Sequence, residues 1–262
     1  GHGGGEFLTV DRDGTIWYGG LSHYDPATNQ HDEYKFQQEG SPGFIPASTH
    51  AIDSSGNIWL SLLTMGGLAR LDRATGEMLW WEVPFLRNRP YGITLDQDDN
   101  VWIAEYHNNG LARFDTKTQS FRHFPLTVQA QTSIRRPGVD SRGFVWAGTY
   151  GSRGMQNGAL YRLDPRTGEV DEHRLQIPFA NPYDAEIDSA DNVWVASDNH
   201  VLRFDQQTGQ FTPYPVTTRT DIPKLAVTRD GTVWFAARNA GASGDYGGAL
   251  AALFPDKDAI ET

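Results

Sequence analysis

Apolar and polar residues alternate along this chain in short runs, and Gly, Asp, Asn and Pro separate the runs. Alternation with a period of two is the mark of a strand with two unlike faces. The pattern is clearest around Trp102, where Tyr91-Gly-Ile-Thr-Leu95, Asn100-Val-Trp-Ile-Ala104, Gly110-Leu-Ala-Arg-Phe114 and Ser120-Phe-Arg-His-Phe124 each read as one strand. The residues between them supply the positive φ and the side-chain-to-backbone bonds that tight hairpins need. No helical period of useful length is present, which disfavours a helical solenoid.

The four-strand unit recurs. Tryptophans stand at 17, 59, 102, 146, 194 and 234, at spacings of 42, 43, 44, 48 and 40. Each ends a phrase such as Asp53-Ser-Ser-Gly-Asn-Ile-Trp59 or Asp188-Ser-Ala-Asp-Asn-Val-Trp194, and in the last repeat Thr228 takes the place of the Asp. A second phrase follows the first five, as in Leu71-Asp72-Arg-Ala-Thr-Gly76 and Phe204-Asp205-Gln-Gln-Thr-Gly209. Trp80 and Trp81 lie outside the series. A period of about 43 residues holding four strands matches a propeller blade. The expected fold is therefore all-β, one propeller domain over residues 1–262. It has six four-stranded antiparallel blades, or seven if one has been lost by truncation. The last repeat is degenerate, with Phe254-Pro255-Asp256 in place of the second phrase. Each repeat Trp is expected to be buried between blades.

The turns are not alike. From the Trp to the Asp of the second phrase the distances are 8, 13, 13, 18 and 11 residues, while the other turns are uniform. Insertions gathered at one end of a repeat fold mark its working face. Second turns bring Glu105, His107, Asn108, Tyr150, Arg153, Asp198, His200, Arg238 and Asp245 to that face. The innermost strands bring Thr49, Gly92, Arg136, Asp184 and Lys224, ten residues before their Trp, and Glu186, eight before. Strand alternation turns this polar set toward the central channel. Arg136, Asp184, Glu186 and Lys224 would line one side of its mouth, either as a wet, salt-bridged plug or as a substrate-binding set. Pro90-Tyr91 and Pro182-Tyr183 start innermost strands in equivalent places. The prolines set an extended entry, and the rings could stack on a ligand.

Composition narrows the function classes. With 22 Lys+Arg against 33 Asp+Glu the chain carries a formal charge of −11, a poor match for nucleic acid. It has no cysteine, which excludes disulfides, thiol catalysis and Cys-ligated metal sites. No apolar run approaches the roughly 20 residues of a membrane span. P-loop, dinucleotide, His-Glu-x-x-His and Gly-x-Ser-x-Gly motifs are absent. The opening Gly1-His2-Gly3-Gly4-Gly5 reads as a tag scar or a cut edge, so an export signal could have been removed. The expectation is a periplasmic or secreted monomer acting on a small molecule.

Glu105-Tyr106-His107 follows the third Trp strand. Carboxylate and imidazole two apart on an extended segment point the same way. They could hold a divalent cation through oxygen while the imidazole acts as a base, or simply be a surface pair on a polar loop. His50 stands where other repeats are apolar and reads as a satisfied core or rim histidine. The Asp-x-Asp-Gly turns lack the downstream Glu of a calcium loop and read as turn chemistry.

The phrase Pro90-Tyr-Gly-Ile-Thr…Asp99-Asn-Val-Trp-Ile-Ala-Glu105-Tyr-His-Asn-Asn-Gly-Leu-Ala-Arg-Phe-Asp115 resembles the repeat of virginiamycin B (streptogramin B) lyases. The likeness runs through the whole chain and is strongest in the second to fifth repeats. The resemblance implies a propeller, usually seven-bladed, that opens a cyclic depsipeptide by magnesium-dependent elimination. It implies Glu105 as a Mg2+ ligand and His107 as the base or its partner. The chain departs from that pattern. It has six repeats, a Glu after the Trp strand in one of them only, and no second Glu-x-His pair. A non-catalytic module binding a ligand or protein and a lactonase-type hydrolase remain the alternative readings.

Overall fold

The computed structural model describes residues 8–34, 47–84, 89–106, 109–126, 132–151, 158–178, 180–216, 220–239, 248–257 and 259–261. The chain divides into two compact units, Gly1–Pro125 and Leu126–Thr262. Each holds three four-stranded antiparallel sheets, so the fold class is the β-propeller expected from the repeats.

In the first unit the first sheet is β1 (Leu8–Val10), β2 (Ile16–Tyr18), β3 (Ser22–Asp25) and β4 (Gln30–Glu33). The second is β5 (Ala47–Ile52), β6 (Ile58–Leu62), β7 (Gly67–Leu71) and β8 (Met78–Glu82). The third is β9 (Pro90–Leu95), β10 (Val101–Glu105), β11 (Gly110–Asp115) and β12 (Ser120–Pro125). In the second unit come β13 (Thr132–Val139), β14 (Val145–Gly151), β15 (Ala159–Leu163) and β16 (Val170–Arg174). Then follow β17 (Asp184–Ile187), β18 (Val193–Ser197), β19 (His200–Asp205) and β20 (Gln210–Pro215). The last sheet is β21 (Thr220–Val227), β22 (Val233–Asn239), β23 (Gly248–Phe254) and β24 (Ala259–Glu261). The degenerate Phe254-Pro255-Asp256 phrase becomes a short 3-10 turn, Pro255–Lys257, and the fourth strand still forms after it.

The repeated phrase works twice. Its Asp caps the first turn: Asp53 Oδ1 accepts the backbone N–H of Ser55 at 3.0 Å and of Asn57 at 2.8 Å. The other carboxylate oxygen accepts the indole N–H of the repeat Trp, six residues on. The distances are 3.0 Å for Asp53–Trp59, 3.1 Å for Asp96–Trp102, 3.0 Å for Asp140–Trp146 and 2.8 Å for Asp188–Trp194. A buried indole needs such an acceptor. Three residues before every Trp the backbone is left-handed, with glycine in four repeats and Asp99 and Asp191 in the others. The left-handed state costs a non-glycine residue ~1–2 kcal/mol. Both aspartates offset this by reaching the preceding sheet's first turn: Asp99 accepts the N–H of Ser54 at 2.9 Å, and Asp191 that of Ser141 at 3.0 Å.

Each covered Trp packs on the sheet that follows. Trp17 meets Ile58, Leu60 and Leu71, Trp59 meets Ile93, Val101 and Phe114, and Trp146 meets Val193, Val195 and Phe204. Trp194 meets Ile222, Leu225, Val233 and Phe235. An aromatic on the fourth strand stacks beside it: Trp81 on Trp59, Phe124 on Trp102, His173 on Trp146 and Tyr214 on Trp194. Trp81 thus belongs to the repeat packing although it lies outside the sequence series. The expectation of six buried tryptophans holds for five; Trp234 is 40% exposed. Its sheet is the last in the chain, so among the described residues no sheet follows it within its unit, and Thr228 replaces the aspartate that would hold its indole.

Candidate functional site

In the second unit, three consecutive innermost strands bring the expected charged set together. The register pairs Glu186 with Trp194 and Asp184 with Ala196. Directly opposed residues share a sheet face. These carboxylates therefore lie on the face that carries the Trp, at the inner end of the seam with the next sheet. The expectation that they point straight into a channel is corrected to that extent. From there Asp184 Oδ2 accepts the backbone N–H of Leu225 at 3.0 Å and the Lys224 ammonium at 3.1 Å. Lys224 also pairs with Glu186. Arg136 is buried, donates to the carbonyl of Pro223 at 2.8 Å and lies 5.5 Å from the Tyr183 ring centre.

The electrostatics follow from this packing. Burial pushes the Glu186 carboxyl above its usual range, and Asp184 adds to that shift against the pull of Lys224 and Arg136. Burial alone would draw the Lys224 ammonium down, but Asp184 and Glu186 outweigh it and hold it above its usual value. The Lys224 and Glu186 side chains remain 40% and 35% exposed, so their pairing is screened by water at its outer end.

Sequence reasoning missed Arg135. The register of β13 slips between Ile134 and Pro137 against β14. A bulge of this kind re-aims side chains. Arg135 and Arg136, adjacent in sequence, consequently both reach Tyr183: Arg135 lies 5.3 Å from that ring and 4.8 Å from Tyr150, and the two rings meet edge to face at 4.7 Å. Strict alternation would have sent the two arginines to opposite faces. Asn181 ties the same end together, with Oδ1 accepting the N–H of Gly151 at 2.7 Å and the amide nitrogen 3.3 Å from Asp198 Oδ2.

The first unit holds a different arrangement. Glu105 ends β10, is wholly buried and sets Oε2 3.0 Å from Nε2 of His123 on β12. Gly110 lies directly opposite Glu105 in the ladder. A Cβ there would come within 2.6 Å of His123 Nε2 and 3.2 Å of Glu105 Oε2, so the glycine makes room for the pair. Burial pushes the His123 imidazole below its usual pKa. A neutral imidazole donating Nε2–H to the carboxylate satisfies both observations. Thr149 and Ser197, which occupy the equivalent buried positions in other repeats, bond to backbone instead. Tyr91 is buried 5.5 Å from Tyr106, and its carbonyl accepts the Thr49 hydroxyl at 2.9 Å, so it shapes the strand entry. His50 is a satisfied rim residue, with Nε2 2.9 Å from the Gly20 carbonyl.

His107, Asn108, Arg153 and Asp245 lie outside the described residues. So does the Arg238 side chain, whose backbone pairs with Asp221 and Gly248 near the end of β22. Magnesium asks for near-octahedral oxygen donors, usually one or two carboxylates with several waters. Glu105 offers one carboxylate, enclosed and set against an imidazole. Among the described residues no group of three or more His, Asp or Glu side chains is gathered for a metal. The described residues around Glu105 do not fit Mg2+.

These features define a β-propeller with a charged, aromatic-flanked seam at the inner strands of its second unit. No protein-family model matches the chain, and no curated protein matches it in sequence. Solved structures do match in fold. Selenomethionine-substituted virginiamycin B lyase from Staphylococcus aureus is 19% identical over 98% of this chain and 83% of its own, with a TM-score of 0.82. A streptogramin B lyase is 17% identical over 97% of this chain and 80% of its own, with a TM-score of 0.80. Hydrazine synthase from Kuenenia stuttgartiensis is 12% identical over 98% of this chain and 94% of its own, at 0.74. The chain therefore has the virginiamycin B lyase-like fold expected from its repeats. The hydrazine synthase match shows that the fold is shared by proteins of other names, so it does not choose a reaction. No helix among the described residues is long and apolar enough to cross a membrane.

Proposed function

We propose that the chain is a propeller that binds a small polar molecule at the inner seam of its second unit. Arg136, Asp184, Glu186 and Lys224 supply the polar contacts, with Tyr183 and Arg135 beside them. The observation that carries this reading is the Asp184–Lys224–Glu186 network, anchored to backbone at one end and open to water at the other. A few convergent polar groups beside aromatic rings are what such sites are made of. A mixed-charge set favours a ligand bearing both donors and acceptors. The test is a thermal-shift and calorimetric screen of cyclic depsipeptides and lactones, each with and without magnesium. A ligand that binds the native state raises its stability. Binding should be saturable and should weaken at least tenfold in Glu186→Gln and Lys224→Met, with the circular dichroism unchanged. Binding that both variants retain in full would overturn the assignment of the site.

A metal-assisted lyase is the second reading. It draws support from the buried Glu105–His123 pair and from the fold likeness to two lyases. The product separates it from a lactonase: elimination leaves a new carbon–carbon double bond and takes no oxygen from labelled water, whereas hydrolysis takes one. Absence of turnover across the screen, with no magnesium-dependent stabilisation, removes this reading and leaves the binding reading standing.

A further inference from the structure

The sixth sheet has two unlike faces. One covers Trp194 with Ile222, Leu225, Val233, Phe235 and Leu253. The other carries Ala226, Trp234, Ala236 and Leu250, all exposed, with Leu250 65% accessible. The register places Ala226 opposite Trp234 and Ala236 opposite Leu250, so these residues form one continuous apolar face. In the fifth sheet the same face is covered by the sheet that follows it. The first sheet shows the counterpart. Leu8 and Val10 are 58% and 60% exposed, and the ladder sets Leu8 opposite Tyr18 and Val10 opposite Ile16. That face has the aliphatic and aromatic character of the surface that covers Trp194. Exposed apolar faces of this extent mark interaction sites.

We infer that the Trp234 face of one copy of this chain seats the Leu8–Val10 face of a second copy, head to tail. The pairing repeats between molecules the sheet-on-sheet contact already made between the fifth and sixth sheets. Its size sets its strength. Four short strands at about 4.8 Å spacing and about 15 Å length give on the order of 300 Å² a side. A standard interface buries about 800 Å² per partner, so the association belongs at the weak, concentration-dependent end. A head-to-tail contact uses two different patches, so each copy can engage a partner at either end.

Sedimentation equilibrium of the whole chain tests this, from about 10 µM to about 1 mM in about 0.15 M salt, which screens the −11 charge. The weight-average mass should rise with concentration past that of a dimer. Trp234→Glu and Val10→Glu, each spoiling one face, should stay monomeric across the range. Leu250→Glu and Leu8→Glu repeat the test should either of the first pair fail to fold. An equimolar mixture of Trp234→Glu and Val10→Glu keeps one intact face of each kind and should reach a dimer and stop there. A wild-type chain that stays monomeric, single variants that still assemble, or a mixture that does not pair would each overturn the inference.

Discussion

The fifth and sixth sheets of the propeller come from the same repeat but meet their surroundings differently. Trp194 is buried, stacked by Tyr214, and donates its indole N–H to Asp188 at 2.8 Å. Trp234 stands at the same place in its strand, 40% exposed, with Thr228 where the aspartate belongs. The repeat Trp owes its stabilising effect to the sheet laid over it more than to its own strand. Replacing Trp194 by Ala should cost ~3–5 kcal/mol, the range for a large aromatic lost from a packed core. Trp234→Ala should cost only about 1–2 kcal/mol, in keeping with its partial burial. Urea unfolding of both variants measures the difference. Equal losses would mean that the Trp234 face is covered in solution, and would point to the head-to-tail contact or another cover.

The same contrast marks what could be read from the sequence. The Asp-to-Trp phrases sufficed for the strand boundaries around Trp102, the left-handed turn positions and the four-strand sheets, because all of these depend on local turn chemistry and period-two alternation. The convergence of Asp184, Glu186 and Lys224 was legible for the same reason. What escaped depends on long-range geometry. The Trp-to-Asp indole bond needs a hairpin to fold back over its own turn. His123 lies two strands from Glu105, and the fourth strand carries no repeated polar signal that would mark it. Arg135 joins Tyr183 only through a bulge, which breaks the alternation that sequence reading relies on. The exposure of Trp234 was hidden because its own phrase is nearly intact, and what it lacks is a neighbour.

Protonation probes the covered junctions without altering a residue. His173 stacks on Trp146 at 5.7 Å, inside the seam between the fourth and fifth sheets, and burial pushes its imidazole below the usual value while Asp171 pulls weakly the other way. Burial also lowers His50 and His123. A histidine depressed in the fold is neutral there and takes up its proton more readily when unfolded. Its contribution is thus fully present above the unfolded pKa of about 6.5 and is lost as pH falls below it. Stability should fall between pH 7 and pH 5, with a slope of at most about 1.4 kcal/mol per pH unit for each histidine. His173→Phe keeps an aromatic on Trp146 and should flatten that slope. A slope unchanged in this variant would show that the fourth–fifth junction is not where the protons enter.

The smallest effect isolates the turn-to-turn bond. Ser141 donates its N–H to Asp191 at 3.0 Å and its hydroxyl to the other carboxylate oxygen, joining the fourth and fifth sheets at their first turns. Ser189 holds the matching position in the fifth sheet, but the sixth has Gly231 where that acceptor would stand. Ser141→Ala should therefore cost ~0.5–1.5 kcal/mol, the net worth of one hydrogen bond, and Ser189→Ala close to nothing. Removing the hydroxyl leaves the backbone bond intact and Asp191 still in its left-handed conformation, so the loss stays at the low end of that range. A second substitution sharpens the reading. Asp191→Gly removes the acceptor but also relieves the left-handed strain, and the two effects oppose each other. In that background Ser141→Ala should fall to the Ser189 value. A cost for Ser141→Ala that persists beside Gly at 191 would mean that the serine acts through its own turn, and the contrast between the two junctions would then rest on the sheet faces alone.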